Sequence, residues 1–173
     1  MATANRPGGL MLMTSLSARV TGTRFSLLPK SPDLHQRAVN AAEIELRGAR
    51  WTVACVHFSK DAAERVRHVD PLWQALDGVA SPLVIAGDIN EEADAPAWQS
   101  LAARMQDSYA VAPDGPAETF TARRPRRRID AVFADPSVEV VACRAVHDAS
   151  DVTRDLLVAA SDHLPVLAVL RQS

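Results

Sequence analysis

Apolar and polar residues change their spacing several times along this chain, and each change marks an element. Residues 9–15 (Gly-Leu-Met-Leu-Met-Thr-Ser) form a short apolar run that predicts a buried strand. Residues 20–28 make a second, more polar strand, stopped by Pro29 and the turn signal Ser31-Pro32-Asp33. A third strand covers 37–46, where Ile44 and Leu46 alternate with Glu43 and Glu45. Arg47-Gly48-Ala49-Arg50 then reads as a hairpin connection into a strand over 51–57, so these two strands should be antiparallel.

The period then lengthens. Asp61 with Glu64 three residues on resembles a capping box, and Ala62, Val66, Val69, Trp73 and Leu76 form one helical stripe. Pro71 lies inside that stripe and is expected to kink or divide the helix. Leu83-Val84-Ile85-Ala86 predicts a central strand buried on both faces, halted at Gly87. Asp94 and Pro96 open a second helix with Trp98, Leu101 and Met105 on one face. A Pro-, Gly- and Asp-rich loop fills 112–117. Strands follow at 128–134 and 138–146, separated by Asp135-Pro136-Ser137, and a nearly all-aliphatic one at 164–170. No repeat and no domain-sized linker interrupts the chain, so residues 1–173 read as one α+β domain with a β-rich core.

Composition adds limits. With 47% hydrophobic and 23% charged residues, the 173-residue chain can bury a sizeable core and is not broadly disordered. A net charge of -2 argues against a sequence-independent nucleic-acid coat. The charge is uneven, however: five arginines fall between Arg123 and Arg128. Cys55 and Cys143 each sit in an apolar run, which suggests buried free thiols instead of a disulfide framework. No apolar run approaches membrane-spanning length. The start is too short and glycine-led for a signal peptide, so a cytoplasmic location is expected, although a segment ahead of Met1 could carry a leader.

Polar residues with chemistry gather where strands end. His57 closes one strand, and Asp88 and Asn90 follow Gly87. In an extended segment those two side chains would share a face. Asp130 lies within Arg128-Ile129-Asp130-Ala131-Val132-Phe133, and Asp162-His163 precede the last strand. Each has a bland explanation: a strand-end histidine, a carboxylate answering nearby arginines, or a turn. His35, His68 and His147 fit no such pattern and read as surface or packing residues. Taken together, the set offers what phosphate-ester hydrolysis needs. It has oxygen ligands for a hard divalent cation, a carboxylate for the attacking water, and donors for the phosphoryl oxygens.

The series VHFS at 56–59, GDIN at 87–90, RIDAVF at 128–133 and SDHLPV at 161–166 resembles the endonuclease/exonuclease/phosphatase superfamily. That group includes deoxyribonuclease I-like nucleases, apurinic-site endonucleases, inositol polyphosphate 5-phosphatases and neutral sphingomyelinases. The resemblance implies a four-layer α/β/β/α sandwich with the site at one edge, and attack of water on phosphorus assisted by Mg²⁺ or Mn²⁺. It implies Asp88 for orienting or deprotonating the water, Asn90 for holding it, and His163 at the scissile phosphate with Asp130 as its partner. It further implies His57 as a second donor, Asp162 with Asp88 on the metal side, and Arg37 near the phosphate. The expected substrate is a phosphoester, in nucleic acid or in a small or lipid phosphodiester. Nuclease or phosphodiesterase stands ahead of phosphomonoesterase.

The front of the chain departs from that pattern. Members of the superfamily open with an asparagine strand, a helix, and a strand ending in Gln-Glu whose glutamate is the principal metal ligand. Here residues 8–15 resemble the strand after those elements. The domain is therefore expected to be truncated at its N-terminal side, with a metal site short of a ligand. An exposed sheet edge would then be available for self-association. A catalytically impaired domain that binds phosphate ligands or a partner is the competing reading. Arg126, Arg127 and Arg128 run directly into the Asp130 strand and are expected to attract phosphate, though a solvated basic loop would look the same.

Overall fold

A computed structural model describes residues 9–80, 82–150 and 152–172. A six-stranded sheet in the order β1-β2-β3-β4-β6-β5 dominates it. Strands β1 (Ala18–Leu27), β2 (Ala38–Leu46) and β3 (Ala49–His57) form an antiparallel meander. Leu46 pairs with Ala49 around Arg47-Gly48, both at positive φ (51° and 81°). This two-residue turn has the twist that hairpins prefer. Helix α1 (Ala62–Ala75) then carries the chain over to β4 (Leu83–Asp88), which lies parallel to β3.

Helix α1 starts where the Asp61 side chain accepts a hydrogen bond from the Glu64 backbone N–H at 2.8 Å. Glu64 does not complete a capping box. Its carboxylate is fully buried and accepts from the Ser31 N–H at 2.5 Å, while the Asp61 N–H bonds to Ser59 Oγ. The helix continues through Pro71 undivided, contrary to the break expected there. His68 is likewise buried, with its Nε2 3.0 Å from the Pro29 carbonyl, a packing residue as expected.

The second half adds α2 (Pro96–Ala102), the two-residue β5 (Gln106–Asp107), the short α3 (Ser108–Val111), β6 (Asp130–Ala134), β7 (Val138–Ala145), α4 (Arg154–Ala160) and β8 (Val166–Gln172). Strands β7 and β8 form a separate antiparallel pair. β5, α3 and α4 carry too few apolar repeats to be legible as elements beforehand.

One face of the large sheet is sealed. Val39, Ala41, Ala54, Val56, Ile85 and Phe133 pack there against Val69 and Leu72 of α1, its C-cap Leu76, and Trp98 and Leu101 of α2. The other face is covered only in part, where Val138, Val140 and Leu170 pack on Trp51 and Ala134. Hence β3 alternates between half-buried and buried positions from Trp51 to His57, after an exposed Arg50. β4 is buried on both faces at its middle, where the adjacent Val84 and Ile85 point to opposite sides and are both buried, while Leu83 and Ala86 are half-buried.

Residues 9–15 overturn an expectation. They form no strand, and Met11 and Met13 are 70% and 80% exposed. The apolar run has no partner strand among the described residues, so no sheet ladder holds its backbone extended. Cys143 is buried, Cys55 half-buried, and neither is in a disulfide. No helix of the described residues is long and apolar enough to cross a membrane.

Candidate active site

Strand register builds the first half of the site. In the parallel pair His57 lies opposite Asp88, and in the neighbouring antiparallel pair Asp88 lies opposite Asp130. Cross-strand partners share a face, so three adjacent strands set His57, Asp88 and Asp130 in one row. That face is the one away from α1, because Val56 beside His57 is the residue buried under the helices. His57 Nε2 lies 3.2 Å from Asp88 Oδ2, off the direction of a hydrogen bond, so this is a close electrostatic contact.

The row can form only because Gly87 precedes Asp88. A Cβ on Gly87, at φ 152°, would stand 1.9 Å from the Val56 carbonyl oxygen. The chain leaves the strand immediately after Asp88, and Asn90 adopts a left-handed φ of 60° that asparagine tolerates. Its backbone N–H donates to Asp88 Oδ1 at 2.8 Å, and its Nδ2 donates to Asp88 Oδ2 at 3.1 Å and to the Phe58 carbonyl at 3.0 Å. Asp88 and Asn90 thus meet through a turn and not along an extended face.

The second half comes from the segment ahead of β8. His163 Nδ1 lies 2.8 Å from Asp130 Oδ2, and its Nε2 lies 4.0 Å from Asp88 Oδ2. The Phe120 ring packs on the imidazole with centroids 4.9 Å apart. Thr119, fully buried, donates its hydroxyl to the same Asp130 oxygen at 2.5 Å, and its carbonyl accepts from Leu164 N–H at 2.8 Å. Thr119 and Phe120 were missed in the sequence, where a lone Thr-Phe in a loop has no periodic signal.

Burial is the largest influence on Asp130 and raises its carboxyl above the usual aspartate range. The bonds from Thr119 and His163 favour the anion and oppose the rise, while the negative charge of Asp88 adds to it. A carboxyl raised by folding costs stability as pH climbs. The cost is absent below its unfolded-state value and complete above its folded one. Asp130→Asn should therefore flatten the fall of thermal stability over the acid range that begins as pH rises past the unfolded-state value of about 3.9. The same change removes the anion that holds His163. Melting curves across that range check it, and a variant with the parent's pH profile would show that Asp130 is ordinary.

A model of the Endonuclease/Exonuclease/phosphatase family matches residues 4–163. The chain belongs to that family. Its fold is shared by a Bacteroides vulgatus endonuclease/exonuclease/phosphatase at 22% identity and TM-score 0.77, covering 91% of this chain and 67% of that one. A Bacteroides thetaiotaomicron mannosyl-6-phosphatase follows at 18% identity and TM-score 0.74, covering 90% and 67%. A family protein of Beutenbergia cavernae, at 26% identity and TM-score 0.69, is matched over 89% of this chain and 45% of its own. The chain thus spans two thirds or less of these relatives' length. No curated protein matches the sequence.

Within this family member the remaining expected residues separate. Arg37 stands just before β2, half-buried; burial lowers its pKa, opposed by the negative charges of Asp88 and then Glu64. It therefore lies within the field of the site. Arg128, expected to attract phosphate, is engaged within the fold: its two terminal nitrogens each reach an Asp107 oxygen at 2.8 Å, and its guanidinium lies over Trp98 and Tyr109. Its role is to hold α2 and α3 against β6. Arg127 is half-exposed and stands 3.5 Å from Glu92, and Arg126 is exposed. Asp162 is exposed and lends its carbonyl to Ala122 N–H at 2.7 Å. It is outside the one group of potential metal ligands among the described residues, which is Asp88, Asp130 and His163, all within 4.8 Å of one another.

This donor set fits a hard divalent cation in one respect. Mg²⁺ takes one or two carboxylates and completes its shell with water and substrate oxygens. Asp88 and Asp130 supply the carboxylates. The imidazole is the poorer ligand for such an ion, and its Nδ1 is already turned to Asp130.

Proposed function

We propose that this family member hydrolyses phosphoesters with the help of a divalent metal, as a nuclease or phosphodiesterase more than as a phosphomonoesterase. The observation that carries the proposal is the convergence on one oxygen, Asp88 Oδ2, of His57 Nε2, Asn90 Nδ2 and His163 Nε2 at 3.2, 3.1 and 4.0 Å. A water bound there would meet a carboxylate able to take its proton, an amide able to hold it, and imidazoles on two sides. The water gives a proton to Asp88 as its oxygen bonds to phosphorus, the ester P–O bond breaks, the leaving alkoxide takes a proton from solvent water, and Asp88 returns its proton to solvent. Asp130, bonded to Nδ1, keeps His163 in the tautomer and orientation that turn Nε2 to the phosphate. Arg37 adds positive charge on the Asp88 side. A bound cation, held by Asp88 and Asp130, would neutralise charge on the phosphoryl oxygens.

The proposal is checked with bis(4-nitrophenyl) phosphate and 4-nitrophenyl phosphate over Mg²⁺ and Mn²⁺ titrations. The diester should be hydrolysed faster, with turnover rising with metal and abolished by chelator. Faster turnover of the monoester, the chemistry named for the Bacteroides thetaiotaomicron relative, would reverse the preference. A second reading is a domain that binds phosphate ligands without turnover. It is favoured by the fate of the glutamate that follows Asn90: Glu91 is buried, one oxygen accepting from Trp98 N–H at 2.6 Å and the other from Arg65 at 2.8 Å. Ligand binding without hydrolysis at any metal concentration would select it.

A further inference from the structure

We propose that Arg65 and Glu91 are positioning residues of this site: their nearly buried ion pair ties the loop after His57 to the turn after Asp88, and so fixes the Asn90 amide. Its kinetic consequence rests on the phosphoester reading above, whereas the clamp itself does not.

Strand β3 ends at His57 and β4 at Asp88, and side chains take over where the ladder between them stops. Arg65, near the start of α1, reaches both chain ends. Its Nε donates to Glu91 Oε2 at 2.8 Å, and its Nη1 donates to the Ser59 and Lys60 carbonyls at 3.1 and 2.8 Å. The other Glu91 oxygen accepts from Trp98 N–H at 2.6 Å, in the first turn of α2, whose N-cap residue Ala95 supplies no side-chain bond. One pair thus joins the ends of two strands to the starts of two helices.

These charges are costly to place here, since the Arg65 and Glu91 side chains are only 11% and 4% exposed. Taking both from water costs about as much as their attraction returns, so such a pair adds little net stability. What it can add is a defined geometry, and the geometry at stake is that of Asn90. Its Nδ2 donates to Asp88 Oδ2 at 3.1 Å and to the Phe58 carbonyl at 3.0 Å. Both partners only accept, so the nitrogen must face them and both of its hydrogens are used. What Asn90 offers a water is then its Oδ1, an acceptor for the proton that Asp88 does not take. Ser59, whose carbonyl Arg65 holds, follows Phe58, and Glu91 follows Asn90. The pair therefore grips the chain immediately beyond each end of the bond between Asn90 and Phe58. If the two loops part, the amide loses the Phe58 carbonyl and is free to rotate away from Asp88.

Glu91→Gln tests the clamp at constant shape. Its amide turns an NH₂ toward either Arg65 or the Trp98 N–H, so it cannot accept from both. On the full chain, the Asn90 Nδ2 protons, followed by NMR, should exchange with water about tenfold faster than in the parent. For bis(4-nitrophenyl) phosphate at saturating metal, kcat should fall about 10–100-fold, the scale of a small misplacement, with KM within about twofold. Arg65→Lys keeps the charge but not the planar reach to Glu91 and two carbonyls, and should show a smaller loss of the same kind. Leu76→Ala loosens the core at the far end of α1 and is the control: it should melt lower, with exchange and kcat at the parent's values. Parent-like exchange and kcat in Glu91→Gln would overturn the proposal, as would a rise in KM at unchanged kcat or a control that loses both readings with its stability. If Glu91→Gln does not fold, Arg65→Lys decides by the same readings. If the parent chain hydrolyses nothing, the hydrolase reading fails and amide exchange alone decides the clamp.

Discussion

Asp88→Asn is expected to lower turnover by about 10²–10⁴-fold, the range of a positioned acid or base. The substitution preserves shape but changes what the side chain can accept. Asn90 donates its backbone N–H to one oxygen of Asp88 and its Nδ2 to the other. An amide at position 88 must turn its own NH₂ toward one of these donors, so the turn to Asn90 loosens as the base disappears. The loss should appear in kcat at saturating substrate and metal, with secondary structure and melting temperature near the parent's. Turnover within a few-fold of the parent would mean that another group activates the water, and the convergence on Asp88 Oδ2 would then be structural. The same measurement on Asn90→Ala separates the two jobs, because that change leaves the carboxylate intact.

Gly87→Ala should be the most damaging Gly→Ala change among the described glycines. A Cβ there falls 1.9 Å from the Val56 carbonyl oxygen and 2.9 Å from its carbon, both backbone atoms of the neighbouring strand. At φ 152° the residue also occupies a conformation that side chains disfavour. Relief requires β3 and β4 to separate where His57 lies opposite Asp88. The strain and local unpairing should cost about 3 kcal/mol or more. For a chain of this size that is a fall of about 6–12 °C in melting temperature. Activity should fall even in the fraction that stays folded, since the site lies one residue away. Thermal melting and turnover at low temperature test the two halves of the claim. A variant that melts with the parent would show that the strand pair yields without cost.

The sequence already carried the family, the α+β class and most of the elements. A helical stripe from Ala62 to Leu76, the tight Arg47-Gly48 connection and the apolar run before Gly87 are local signals, and local physics decides them. The candidate residues His57, Asp88, Asn90, Asp130 and His163 were legible for a related reason: polar side chains at the ends of apolar strands have few structural reasons to be there. What local pattern could not supply was partnership. Whether an arginine faces solvent or substrate depends on which acid lies across the fold. Arg128 meets Asp107 from another element, while Arg123 and Arg124 form no ion pair with an acid among the described residues. Glu91 follows Asn90 directly in sequence, yet its carboxylate is consumed by Arg65 and the Trp98 backbone. The apolar run at 9–15 had a strand's composition without a strand's neighbour. Thr119 enters the site only because register brings β6 and the His163 segment to its two sides. Side-chain spacing along the chain is set by covalent geometry and can be read directly. Pairing across the chain is set by the packing of residues many positions apart, and only the tertiary structure decided it.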